Sequence, residues 1–220
     1  MRYSDRVDAG RRLAEALRSF AGPDVVVVGL PRGGVPVAYE VAKTLGAPLD
    51  VIIVRKLGVP SQPEYAMGAI GEGGARVINH EAVRLAGVTE QGIADVEERE
   101  RAELDKRVRR FHGGKEPIPL AGRTVIVVDD GVATGSTARA ACQVARAHGA
   151  TRVVLAVPIG PPGVESAMRP DADEVVCLWE PAEFYAVGQG YEDFSQTSDN
   201  EVVELLDRAA QALPDAGGGS

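Results

Sequence analysis

A chain of 220 residues, 45% hydrophobic and 25% charged, can bury one sizeable core and has the composition of an ordinary globular protein. Its formal net charge of −8 argues against non-specific nucleic-acid binding as a main activity, while leaving room for local phosphate sites. Two cysteines without CxxC spacing, Cys142 and Cys177, predict buried reduced thiols, and no aliphatic run is long enough to cross a bilayer.

The polar start Met1–Arg6 does not read as a secretion signal, so a cytoplasmic protein is expected. Ala9, Leu13, Leu17 and Phe20 recur at helical spacing, predicting an amphipathic helix over residues 1–20. Val25–Gly29 is a continuous aliphatic run typical of a strand covered on both faces. Pro36–Leu45 reads as a helix ended by Gly46, and Val51–Val54 as a second strand. Met67–Ile70 and Arg76–Ile78 suggest a short hairpin around Glu72, Gly73 and Gly74. Gln91–Phe111, with Glu and Arg interleaved, reads as an exposed helix whose charges are a solvated face.

After Pro117 and Pro119 the pattern resumes: strand Thr124–Val128, helix Ser136–His148, strand Val153–Val157, a short helix near Val164–Met168, strand Glu174–Leu178 and a final helix near Val202–Leu213. Alternating strands and helices predict an α/β fold with a mostly parallel sheet flanked by helices and a small hood or flap. Residues 1–213 are expected to form one domain, followed by a flexible tail over 214–220. Ligands in such sheets bind at the carboxyl ends of the strands.

Val125–Thr137 is where the chemistry concentrates. Asp129 and Asp130 follow directly on an aliphatic strand, and neighbouring carboxylates repel unless each has a partner. Ala133, Thr134, Gly135, Ser136 and Thr137 then lead into a helix whose first N–H groups and positive dipole end suit a phosphate. Ionised carboxylates only accept hydrogen bonds, which suits vicinal hydroxyl groups. A phosphate on one side and a diol on the other outline a pentose 5-phosphate. A helix cap would account for Ser136 but not for the acid pair. A Walker loop is set aside, because no lysine follows Gly135.

This stretch resembles the phosphoribosyl-pyrophosphate motif of the type I phosphoribosyltransferases, with Gly131 standing where that family usually carries an aliphatic residue. The likeness runs from Tyr3–Arg6 to Asp193–Asp199 and is nearest to a bacterial branch of predicted phosphoribosyltransferases whose acceptor is generally unassigned. It implies transfer of a 5-phosphoribosyl group from phosphoribosyl pyrophosphate to a small nitrogen acceptor, with Mg²⁺ as cofactor and a homodimer as assembly. Asp129 and Asp130 would hold the ribose hydroxyls and touch the metal only through substrate or water. The rival reading is a sensor that binds the donor without turnover.

Gly29–Pro36 stands where the family's loop binds pyrophosphate, often through a cis peptide, expected here at Arg32–Gly33. Gly33 and Gly34 would offer N–H groups and Arg32 a fork of donors. Arg55–Tyr65 corresponds to a polar flap that closes over the site, with Lys56 as the cation facing pyrophosphate. Arg55, on the opposite face of the strand, is expected to turn toward structure. Residues 179–200 correspond to the hood, where Tyr185 aligns with a base-stacking aromatic and Glu192 would reach exocyclic groups. The 6-oxopurine enzymes carry a lysine after the preceding strand that Val157–Pro162 lacks, which argues against hypoxanthine or guanine.

Overall fold

The computed structural model describes residues 2–212. The chain runs through α1 (Arg6–Ala16), β1 (Val25–Gly29), α2 (Gly34–Leu45) and β2 (Leu49–Val51). An excursion follows through β3 (Val54–Val59), β4 (Gln62–Gly71), β5 (Arg76–Ile78), α3 (His80–Leu85) and α4 (Glu90–His112). The alternation then resumes with β6 (Thr124–Val128), α5 (Ser136–Ala147), β7 (Arg152–Ile159), α6 (Val164–Met168), β8 (Glu174–Trp179) and α7 (Asp199–Ala212).

The main sheet has the order β2–β1–β6–β7–β8, and every neighbouring pair is parallel. Its strands are aliphatic throughout because both faces are covered. Val25, Val27, Ile126 and Val128 pack with α1 and α2, while Val26, Val28, Val125 and Val127 pack with α5. Alternation of side chains along each strand divides these residues between the two layers. Each such side chain taken fully out of water contributes roughly 1.5–3 kcal/mol. Small residues on α5, Ala138, Ala140, Ala141 and Ala145, let that helix lie close to the strands.

The excursion is a second, antiparallel sheet of order β3–β4–β5. Here two expectations need correcting. The strand expected over Val51–Val54 is the end of β2 and the start of β3, which belong to different sheets. The polar loop expected over Arg55–Tyr65 is mostly a β-hairpin turning at Pro60–Ser61. Val54, Leu57 and Val59 are buried among Pro- and charge-rich neighbours, and that inward apolar set is enough to pair the strand. Pro63 is tolerated because β4 pairs with β5 only from Gly68 onward.

The charged helix α4 is not merely a solvated face. Ile93, Val96, Leu104 and Phe111 pack against Leu57, Val59 and Met67 of the small sheet, and Arg55–Glu100 and Arg76–Glu97 ion pairs tie the two together. The final helix starts at Asp199, earlier than Val202, and the expected tail 214–220 lies outside the described residues. Among the described residues, no helix is long and apolar enough to cross a membrane.

Candidate active site

Strands β1 and β6 end side by side, with Gly29 opposite Val128, so the segments that follow them meet at the carboxyl edge of the sheet. Asp129 and Asp130 continue β6, and the loop Pro31–Gly34 lies directly on them. A Cβ at Gly33 would stand 2.1 Å from Asp130 Oδ2, and one at Gly34 would stand 2.7 Å from the Val128 carbonyl. Only glycine lets the two loops approach this closely. The cis peptide is Pro31–Arg32, one bond earlier than expected.

Burial raises the Asp129 carboxyl well above the usual carboxylate range, and the negative charge of Asp130 adds to it. Asp130 is raised as well, by burial, while Arg6 pulls it back. Arg6 Nε donates to Asp130 Oδ2 at 2.8 Å. The same guanidinium donates to the Ser195 carbonyl at 2.6 Å and lies 4.1 Å from the centre of the Phe194 ring. The Tyr191 hydroxyl donates to the Asp130 carbonyl at 2.5 Å, and that of Tyr3 to the Pro158 carbonyl at 2.7 Å. The N-terminal segment and residues 190–195 therefore form one cover beside the acid pair, joined by Tyr3–Gly190 and Glu192–Tyr3 backbone bonds. Among the described residues, the side chain of Asp129 accepts a single hydrogen bond, from the Asp130 N–H at 2.9 Å.

The small-residue loop then turns into α5. Gly135, at φ 78°, occupies the helix cap without a side chain of its own, and the Ser136 N–H reaches Thr134 Oγ1 only at 3.5 Å. Ser136 is the first helical residue, so its hydroxyl is not spent as a cap. Thr134 and Thr137 are exposed, and Thr134 Oγ1 lies 3.3 Å from Ser136 Oγ. Uncapped N–H groups with hydroxyls beside them are an anion cradle. Gly131 also finds its physical reason here: a Cβ would stand 2.4 Å from Val187 Cγ1 and 2.9 Å from Ile159 Cγ2. The aliphatic volume missing from the motif is supplied by Val187, from the turn just before the cover.

With this geometry in place, the comparisons are decisive on family. The model of the phosphoribosyl transferase domain matches residues 4–194. The chain belongs to that family. Two Mycobacterium tuberculosis proteins provisionally named phosphoribosyl transferases, MT0597 and Rv0571c, are each 59% identical over 215 residues, covering 98% of this chain and 48% of theirs. The chain thus spans about half the length of the curated relatives it matches. The crystal structure of TT1426 from Thermus thermophilus is 44% identical with a TM-score of 0.87, covering 94% of this chain and 98% of that one.

Other anticipated residues of this phosphoribosyl transferase domain are brought together unevenly. Lys56 lines a cavity of about 430 Å³ with Ser136 and Arg139, which puts it on the side of the small sheet that faces the start of α5, and it pairs with Glu64 at 3.4 Å. Arg55 turns away to Glu100 at 2.6 Å. Arg32 points toward Asp199, at 3.4 Å, in a groove that contains neither Asp129 nor Asp130. Tyr185 is 80% exposed, with its hydroxyl on Glu183, and Glu192 is exposed. From that segment it is Tyr191 that reaches the acid pair. Arg6, Tyr3, Tyr191 and Val187 carry no local sequence signal for these contacts; Arg6 and Asp130 are 124 positions apart.

Proposed function

We propose that the chain transfers a 5-phosphoribosyl group from phosphoribosyl pyrophosphate to a nucleobase-like nitrogen acceptor and releases pyrophosphate. The observation that carries this reading is the desolvated Asp129–Asp130 pair set one loop from an uncapped helix start. The 5-phosphate lies against Ala133, Thr134, Gly135, Ser136 and Thr137. The ribose hydroxyls donate to Asp129 and Asp130. As the bond from C1 to the pyrophosphate oxygen breaks, positive charge builds on the ribose, and the two carboxylates stabilise it. Gly33 offers its backbone N–H to the departing pyrophosphate with Lys56 as the cation at its margin, whereas the Gly34 N–H is held by the Leu30 carbonyl at 3.0 Å and Arg32 is turned to Asp199. The acceptor nitrogen bonds to C1 as the bond to pyrophosphate breaks, and its proton passes to the released pyrophosphate or to water.

Mg²⁺ suits this donor set. Among the described residues no cluster of three or more His, Cys, Asp or Glu is built to hold a metal, and a hard cation that prefers one or two carboxylates with phosphates and water fits an acid pair facing a pyrophosphorylated sugar. Bound there, it would supply charge neutralisation to the leaving group. Arg6 keeps Asp130 closer to its ionised form, and so ready to accept a hydroxyl. Residues 179–200 act as the hood over the acceptor, with Tyr185 stacking on it and Glu192 at its rim. The free thiols Cys142 and Cys177 suit a reducing compartment and support a cytoplasmic setting. We read the assembly as a homodimer.

The test is a pyrophosphate-release screen with Mg²⁺ and phosphoribosyl pyrophosphate across purines, pyrimidines and nicotinate-like rings. Release with one acceptor class establishes the transferase. Tight donor binding without release for any class turns the reading into that of a donor sensor.

A further inference from the structure

Beside the Arg32 loop opens a groove of about 560 Å³. Four cations line it, Arg32 from the loop and Lys106, Arg107 and Arg110 from the last turns of α4, against a single carboxylate, Asp199. Such a concentration runs against the chain's net charge of −8.

Folding calls for only part of it, since Arg110 sits at the negative end of the α4 dipole and also donates to Asn200 at 3.4 Å. The last turns of α4 are held by Leu104 and Phe111, which are buried, while Lys106, Arg107 and Arg110 are exposed. Nor are the charges spent internally. Asp199 is shared between Arg32 at 3.4 Å and Arg110 at 3.1 Å. Lys106 pairs only with Glu103, one turn back on its own helix. Arg107 makes no ion pair among the described residues. Three guanidinium forks around one concavity suit an acceptor with several anionic oxygens in a row, since each fork can take two of them.

We propose that this groove is a second anion site, separate from the acid pair, which takes an oligophosphate chain. The inference goes beyond the transferase reading and stands without it. Its ligand is either an inorganic oligophosphate or the phosphate chain of a nucleotide, and the phosphates are what the groove reads in both.

Calorimetric titration of the full chain with inorganic tripolyphosphate tests it. Arg107→Glu reverses a cation that holds no ion-pair partner among the described residues, and it should weaken binding at least tenfold with an unchanged melting temperature. Asp199→Asn removes the one competing carboxylate and should tighten binding several-fold, an effect opposite to that of a general loss of structure. Titration with a nucleoside triphosphate separates the sources: equal affinity means that the phosphate chain alone is read, and tighter binding means that the groove also holds the nucleoside. No binding by the wild-type chain, or the same isotherm for wild type and Arg107→Glu, overturns the proposal. Donor titration of the same samples keeps the two readings apart, because Arg107→Glu leaves the Asp129–Asp130 site intact.

Discussion

Two carboxylate clusters in this molecule face the same cost of burying negative charge, and they meet it in opposite ways. Asp50 and Glu72 surround His112, all three buried. Asp50 accepts the N–H groups of Val51 and Ile118, each at 2.8 Å; Glu72 accepts the Ile53 N–H and lies 2.6 Å from His112 Nε2. Each of these four carboxylate oxygens has a partner from the chain itself. Among the described residues, Asp129 and Asp130 have one cation, Arg6, and Asp129 has only its neighbour's N–H. A satisfied buried cluster holds elements together, here the end of α4, the small sheet and the strand β2. A desolvated cluster with spare acceptors is one reserved for a ligand.

That contrast can be broken most forcefully at His112. His112→Ala leaves Glu72 and Asp50 buried without their cation and should destabilise the fold by about 3–5 kcal/mol. Urea unfolding measures it, and donor affinity of the protein still folded should match wild type. Donation of a hydrogen bond to the Glu72 carboxylate raises the His112 pKa above its ordinary 6.5, with burial opposing. Its contribution is then fully present below that ordinary value and fades as pH rises through the folded one. Denaturant midpoints should therefore fall on going to alkaline pH, and the slope should flatten in His112→Gln.

Asp129→Asn is the converse experiment. It removes a like-charge repulsion, so thermal stability should hold or rise. Pyrophosphate release should fall by on the order of 10²–10³-fold, the loss usual for a preorganised electrostatic group. Equal loss of stability and turnover would place the acid pair in the same class as Asp50 and Glu72.

Arg6→Ala sharpens the comparison from the other side. It strips Asp130 of its cation, and a charge-assisted hydrogen bond of this kind is worth roughly 1.5–3 kcal/mol. The Asp130 carboxyl then rises further, so donor binding, which needs an ionised acceptor, should be lost at a higher pH than in wild type. An unshifted pH profile would mean that Arg6 serves the cover alone. The smallest effect belongs to Tyr185→Ala, which should move stability by less than about 0.5 kcal/mol because the ring is exposed. Acceptor KM should still rise up to about tenfold, in line with one lost stacking contact.

The sequence made the main sheet legible because its signals are local: Val25–Gly29, Thr124–Val128 and Val153–Val157 each announce a doubly covered strand. The acid pair and the loop through Thr137 were legible for the same reason. What escaped depends on pairing across the chain. Arg55–Val59 looked like the start of a loop because its charges, and Pro60 and Pro63 just beyond it, mask the inward-facing Leu57 and Val59. The charges of Gln91–Phe111 hid the stripe Ile93, Val96, Leu104 and Phe111. His112 has no ligand spacing in sequence, and its partners Asp50 and Glu72 lie 62 and 40 positions away. Arg6 and Tyr191 approach Asp130 only after the termini of the family match have come together. Gly131, an oddity in the motif, makes sense once Val187 is seen in its place.

The central claim is that residues 129–137 hold a phosphoribosyl group, and one calorimetric titration with phosphoribosyl pyrophosphate and Mg²⁺ tests it directly. One donor should bind per chain, with ribose 5-phosphate alone binding more weakly at the same site and displaced by the donor. A wild-type chain that is folded and takes up neither ligand contradicts it.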